Sequence, residues 1–182
     1  MKGRIVVTAA LVLAVAGCGG ADTTTTEPAA GVPDVISVTS DVLVDGGSIP
    51  RRFTCDGAGE SPPLAWSGVP SAAGALALVV DDPDAPGGTF VHWLVLDLPV
   101  ADDHVNEGAG PTAGVPVPNS TGSAAYAPPC PPSGTHHYRF TVYALSAPTR
   151  LSGSVGLDDA LTAIDDGAIG RGRLTATYTR AG

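Results

Sequence analysis

The chain predicts a mainly β fold: a single sandwich-like domain with one late helix. Three observations point there. Short runs rich in valine, isoleucine, leucine and aromatic residues recur between turn-forming clusters. Twenty-four glycines and seventeen prolines interrupt the chain too often for long helices. One segment alone, near the C-terminus, carries both start and stop signals of a helix.

Val35 to Val44 alternates as a strand, and Asp45-Gly46-Gly47 is a turn. Ile49 to Thr54 reads as a second strand interrupted by Pro50, followed by the turn Cys55-Asp56-Gly57. Leu64-Ala65-Trp66 is a short strand between proline-rich breaks. Ala75 to Val80 is nearly all apolar, which suits a strand covered on both faces. Phe90 to Leu98 is strongly strand-like, and Pro99 to Ala127 reads as a long loop rich in Gly, Pro, Asp and Ser. Tyr138 to Ala144 alternates as a strand. Leu157 to Ile169 is the helix, with Asp158 and Asp159 in its first turn and Gly170 beyond its end. Arg173 to Thr179 closes the series as a strand, which makes roughly seven in all.

The N-terminus reads as an export leader. Lys2 and Arg4 precede an apolar run from Ile5 to Ala16, too short to span a bilayer. The run ends Val15-Ala16-Gly17-Cys18, a small-residue cleavage site abutting cysteine. That pattern resembles a bacterial lipoprotein signal, with residues 1–17 removed and Cys18 lipidated. The expected location is the cell envelope, anchored to the membrane through Cys18 alone. Residues 18–33 hold few large apolar groups and are expected to form a flexible tether. The globular domain is expected over 34–182, long enough for a real core.

Loss of Lys2 and Arg4 with the leader takes the formal charge from −9 to −11 and leaves no lysine. This disfavours nucleic acid and anionic lipid surfaces as electrostatic partners, and it excludes lysine chemistry. With Cys18 lipidated, Cys55 and Cys130 remain as an even pair in an oxidising compartment. A disulfide is the favoured reading; two buried free thiols are the alternative.

Two distant segments carry the chemistry. Asp82-Pro83-Asp84-Ala85-Pro86 precedes His92-Trp93, and Pro132-Ser133-Gly134-Thr135 leads into His136-His137-Tyr138. Each places a histidine at a strand edge beside a proline-stiffened turn. If the two turns meet, they enclose imidazoles, a phenol and backbone amides, a set that suits an anion. The Pro132 to Thr135 turn can aim successive N–H groups inward, with Gly134 permitting close approach. Asp82 and Asp84 would serve by fixing imidazole tautomers, or else by closing Asx turns. His92 has a second reading as a satisfied core histidine. His137 alternates to the face opposite His136, and His104 reads as a solvated loop residue.

These motifs, taken in order, resemble the phosphatidylethanolamine-binding protein family, also called the Raf kinase inhibitor protein family, in its bacterial branch. The markers are Cys55-Asp56-Gly57, Ser61 to Trp66, Asp82 to Pro86, His92-Trp93, Pro99, Glu107-Gly108, Pro131 to His136, Tyr138, Tyr143 to Leu145 and Leu174 to Tyr178. They cover nearly all of 36–180. The resemblance implies a large antiparallel sheet packed on a smaller one, with a C-terminal helix and a small pocket for phosphate-like anions. By position, Asp82, Asp84, His92, His136 and Tyr138 match the pocket residues. Pro86 matches a position that often has a cis peptide bond. Two departures touch the rim: His137 stands where arginine is frequent, and Ser123 to Pro129 lacks the usual glycine pattern.

The expected function is capture of an anionic or phosphorylated ligand, such as a lipid headgroup. Alternatives are an inhibitor or scaffold docking a protease, kinase or other envelope enzyme, and a metal- or acid–base-dependent hydrolase. The hydrolase is disfavoured because neither a Gly-x-Ser-x-Gly elbow nor a His-Glu-x-x-His motif occurs. No cofactor and no metal are implied.

Overall fold

A computed structural model describes residues 27–181. The expected leader and Cys18 lie outside the described residues. Two antiparallel sheets face each other. The small one runs β1 (Ser37–Thr39), β2 (Leu64–Ser67), β5 (Asp103–Val105). The large one contains β3 (Ala75–Asp82), β4 (Phe90–Leu98), β6 (Val115–Val117), β7 (Gly134–Leu145) and β8 (Ala168–Arg180), in the order β6-β4-β3-β7-β8.

The large sheet is covered on both faces, which explains why every residue of β3 is buried. Leu76, Leu78, Val80, Phe140, Val142 and Leu174 face the small sheet, where they meet Trp66, Phe53 and Leu64. Ala77, Val79, Leu94, Leu96, Tyr143 and Leu145 face the other way, toward helix α1 (Leu157–Gly167). Helix α1 buries Ala160 and Ile164, one turn apart on a single stripe.

The expected β-sandwich with one C-terminal helix is therefore what the chain forms. Four details differ. Ile49 to Thr54 is not a strand: Arg51–Phe53 is a 3-10 turn, with Phe53 N–H bonded to the Pro50 carbonyl at 3.0 Å. Pro50 has no N–H to give a ladder, so the segment curls. The strand expected over Val35 to Val44 pairs only at Ser37–Thr39. The loop expected over Pro99 to Ala127 contains β5 and β6, three residues each. The helix stops at Gly167 rather than Ile169, and β8 begins at once.

The free edge of β8 is wrapped by the chain's own N-terminal part. Arg171 N–H donates to the Pro33 carbonyl at 2.9 Å, and Ile36 N–H donates to the Arg171 carbonyl at 3.0 Å. Farther along the edge, Ile49 N–H reaches the Thr177 carbonyl at 2.7 Å. Such cover removes an edge that could pair with another chain. Gly172 is required here, because a Cβ would lie 2.0 Å from the Ile36 carbonyl oxygen. The tether expected over 18–33 thus has its described end, from Glu27, packed on the domain. Ala29 is buried, and its N–H donates to Asp165 Oδ1 at 2.6 Å.

Cys55 and Cys130, 75 positions apart in sequence, form a disulfide with Cα atoms 5.4 Å apart. It ties the turn after the 3-10 segment to the Pro131-Pro132 turn, and so constrains a long loop in the unfolded chain. Replacing both cysteines by serine is expected to lower unfolding free energy by about 2–5 kcal/mol. Urea melts of the two proteins at one pH measure it.

Candidate functional site

The site begins with a fault in a ladder. In β3 against β4, Val80 pairs with Trp93 but Asp81 pairs with Val91, so His92 is left over as a bulge. Trp93 and Val95 face the small sheet, whereas Val91, Leu94 and Leu96 face the helix. Strict alternation from Trp93 would put His92 on the helix side. The bulge turns it back toward the small-sheet side, where its ring meets the edge of Tyr138 with centroids 5.3 Å apart.

His136 reaches the same place from β7. It shares a face with Tyr138, two residues on. Its Nδ1 lies 2.7 Å from Asp82 Oδ2, in a pair that is 5 % to 9 % exposed at the side chains. The other oxygen of Asp82 accepts the Asp84 N–H at 2.8 Å, an Asx turn that starts the loop after β3. One carboxylate therefore shapes the turn and holds the imidazole.

His92 is clamped differently. Its Nδ1 donates to the Ala127 carbonyl at 2.8 Å, and its own carbonyl accepts the Ala127 N–H at 2.9 Å. Buried Asn119 adds a 3.0 Å bond from Nδ2 to that carbonyl, and a second, at 2.8 Å, to the Ala125 carbonyl. Asn119 Oδ1 accepts from Thr121, through both N–H and hydroxyl, so the loop is knitted to the bulge.

The two imidazoles open into one cavity of about 420 Å³. Asp82 lines it beside them, and Phe90, Pro86, Pro128, Pro131, Pro132 and the Cys55–Cys130 disulfide supply mostly apolar walls. In each ring Nδ1 is taken by an oxygen acceptor, so Nε2 is the atom available to a guest. With Nδ1 protonated, a neutral ring presents an Nε2 lone pair, and a protonated ring presents an N–H. Burial pushes the His92 imidazole below its ordinary value, against the pull of the Ala127 carbonyl and the Asp82 charge. Charge on His136 adds to that depression.

Of the residues expected in the pocket, Asp82, Pro86, His92, Pro132 and His136 line this cavity, and Asp84, Gly134 and Tyr138 do not. Tyr138 is wholly buried behind His92. Among the described residues its hydroxyl finds no hydrogen-bond partner; the Asp82 carboxylate acts on it without reaching hydrogen-bond geometry. Burial, then that nearby charge, holds the phenol protonated. Asp84 turns outward to His137, accepting its N–H at 2.8 Å and pairing with its Nδ1 at 2.7 Å. Burial opposes the charge on Asp84, but the bonds from His137 outweigh it and hold the carboxyl below the usual range. Gly134 takes a φ of +76°, which opens β7 from the turn, and it pairs with Arg180. Every peptide bond among the described residues is trans, that before Pro86 included. Asn119, Ala127 and Phe90 were not foreseen; only the turn signal in Pro118-Asn119-Ser120-Thr121-Gly122 hinted at the first.

Comparison with known proteins places the fold. The family model described as phosphatidylethanolamine-binding protein matches residues 39–179. LppC of Mycobacterium tuberculosis, named as a candidate lipoprotein, is 42 % identical over 189 aligned positions, covering 93 % of this chain and 92 % of its own. A UPF0098 protein of Mycobacterium bovis is 44 % identical, covering 80 % and 71 %. The crystal structure of CT736 from Chlamydia trachomatis, described as a candidate homologue of the phosphatidylethanolamine-binding protein, superposes with a TM-score of 0.75 at 36 % identity, covering 81 % of this chain and 99 % of that one. Escherichia coli YbcL, described as a new member of the mammalian family, gives a TM-score of 0.75 at 30 % identity, covering 80 % and 99 %. The chain belongs to the phosphatidylethanolamine-binding protein family.

Proposed function

We propose that this protein is an envelope-anchored binding module whose Asp82–His92–His136 cavity takes the phosphate-like head of a small organic ligand. One observation carries the reading. Two imidazoles from distant strands, each fixed through Nδ1, offer Nε2 to a single cavity. A phosphomonoester suits both charge states of such a pair. Its second ionisation lies near pH 6. As the monoanion it keeps an O–H that a neutral Nε2 accepts, and its oxygens accept from a protonated Nε2. The apolar walls then cover the carbon body of the ligand. Anchorage rests on the leader ending at Cys18 and on the lipoprotein naming of the relative LppC.

Calorimetric titration of the mature protein with inorganic phosphate and with an organic phosphomonoester tests this reading. The monoester is expected to bind more tightly, because phosphate alone leaves the apolar walls wet. No heat with either ligand, at any pH from 5 to 8, would remove the proposal.

His136→Ala deletes one Nε2 contact. A hydrogen bond to a charged group contributes about 1.5–3 kcal/mol, so affinity is expected to fall roughly ten- to hundredfold. Asp82→Asn keeps the shape but replaces the carboxylate that holds His136 Nδ1 with an amide. Its affinity for phosphate is also expected to fall, because the ring is then less firmly aimed, with circular dichroism confirming that both variants fold.

The depressed His92 gives a pH signature with a definite sign. The fold prefers its neutral form, so that contribution to stability is complete above the free value near 6.5. It is lost as pH falls from there toward the lower folded value. A bound anion favours the charged ring and opposes the loss. The rise in melting temperature caused by phosphate is therefore expected to grow as pH falls below about 6.5, and to flatten in His92→Asn.

A further inference from the structure

We propose that Arg139, Arg171 and Arg173 form a second anion site, on the helix-side face of the large sheet, which Glu27 of the chain's own N-terminal strap occupies. Arg139 Nη1 donates to Glu27 Oε2 at 2.8 Å, and Arg171 and Arg173 both donate to Oε1. The side chains are 13 % to 20 % exposed for the arginines and 14 % for Glu27. The three guanidinium groups stand on the adjacent long strands β7 and β8. A rigid pair of strands, rather than a loop, thus aims them at one point.

The charge count favours a site over an ordinary ion pair. Asp81 takes Arg139 bidentately through Nε and Nη2. Asp34, 69 % exposed at its side chain, takes Arg171 Nε at 2.9 Å. Among the described residues, Arg173 has the Thr141 hydroxyl at 3.0 Å and otherwise only Glu27. Without Glu27, three cations would face two carboxylates, one of them in solvent. A largely desolvated guanidinium with no counter-charge is costly, so the empty site would attract an anion. The Tyr143 phenol beneath, pushed up to about 12 by burial and then by the Glu27 charge, stays a neutral floor.

The strap is fastened independently of Glu27, by Ala29 to Asp165 and by Pro33 to Arg171. Glu27 is therefore a ligand tethered through the strap. Tethering over a few residues gives an effective concentration on the order of millimolar. A free carboxylate or phosphate of modest affinity displaces it only at high concentration, and enters more readily once Glu27 is gone. The class of ligand is a small oxyanion or the acidic side chain of an extended peptide. This site shares no residue with the cavity, so the two stand or fall separately.

The test uses the whole mature chain with Glu27→Ala or Glu27→Gln, the latter keeping side-chain volume. Nuclear magnetic resonance follows the Nε–H signals of Arg139, Arg171 and Arg173 as inorganic phosphate is added. The expected result is saturable movement of the Arg171 and Arg173 signals in both variants, with the unsubstituted protein needing about tenfold more phosphate, equivalent to 1.4 kcal/mol. Adding His136→Ala must leave that response unchanged, which separates it from the cavity. Signals that ignore phosphate in both variants, or that respond equally in the unsubstituted chain, would overturn the proposal.

Discussion

Between Val80 and Asp81 the register of β3 against β4 slips by one residue, and the residue without a partner is His92. Much else at this end of the sheet follows from that slip. It places His92 on the face where His136 and Tyr138 already point. It also sends Val91 to the helix side, so the hydrophobic surface beyond the bulge is not lost. A bulge leaves backbone groups outside the ladder, and buried groups need partners. The 119–127 loop meets that need: Asn119 and Ala127 both donate to the His92 carbonyl. The long glycine- and proline-rich connection is thus a second wall of the site, held by the fault in the strand beside it.

Sequence reading reached the architecture because its signals there are local. The apolar run of β3, the alternation of Tyr138 to Ala144, and the acidic first turn of α1 each describe their own surroundings. Asp82, His92 and His136 stood out through their proline-stiffened turns and through a resemblance carried by ordered motifs, not through periodicity, and the fold brings all three to one cavity. Alternation from Trp93 would in fact have turned His92 away. Strands of three residues, such as β5 and β6, are too short to show a period of two, and so they hid inside a stretch that looked like loop. Tyr138 was expected to offer its hydroxyl because a phenol beside two histidines suits an anion. Only packing reveals that the phenol is wholly buried, with the His92 ring against it in a T-shaped contact.

The strap escaped for a different reason. Residues 27–33 are poor in large apolar groups, which is the usual mark of a segment that cannot order itself. The energy that holds it comes from elsewhere. The arginines that bind Glu27 lie 112 to 146 positions away in sequence. Gly172 clears room for Ile36 in a strand where glycine would otherwise weaken pairing. Gly170-Arg171-Gly172-Arg173 therefore reads, with the fold in hand, as alternating clearance and charge along one edge strand.

Asp81 and Asp82 show how the sheet keeps two charged devices apart with adjacent residues. They stand next to each other on β3 and point to opposite faces. Asp81 meets Arg139 on the helix side, and Asp82 meets His136 on the other. Their partners alternate on β7 in the same way, with Tyr138 and the packed layer of the sheet between them. A register slip of one residue in β3 against β7 would offer each carboxylate the wrong partner and bury the hydrophobic residues of β3 on the wrong sides. The paired charges and the fully buried strand thus enforce the same register. That register sets the imidazole of β7 beside the carboxylate of β3, while the bulge in β4 brings the second imidazole to meet them.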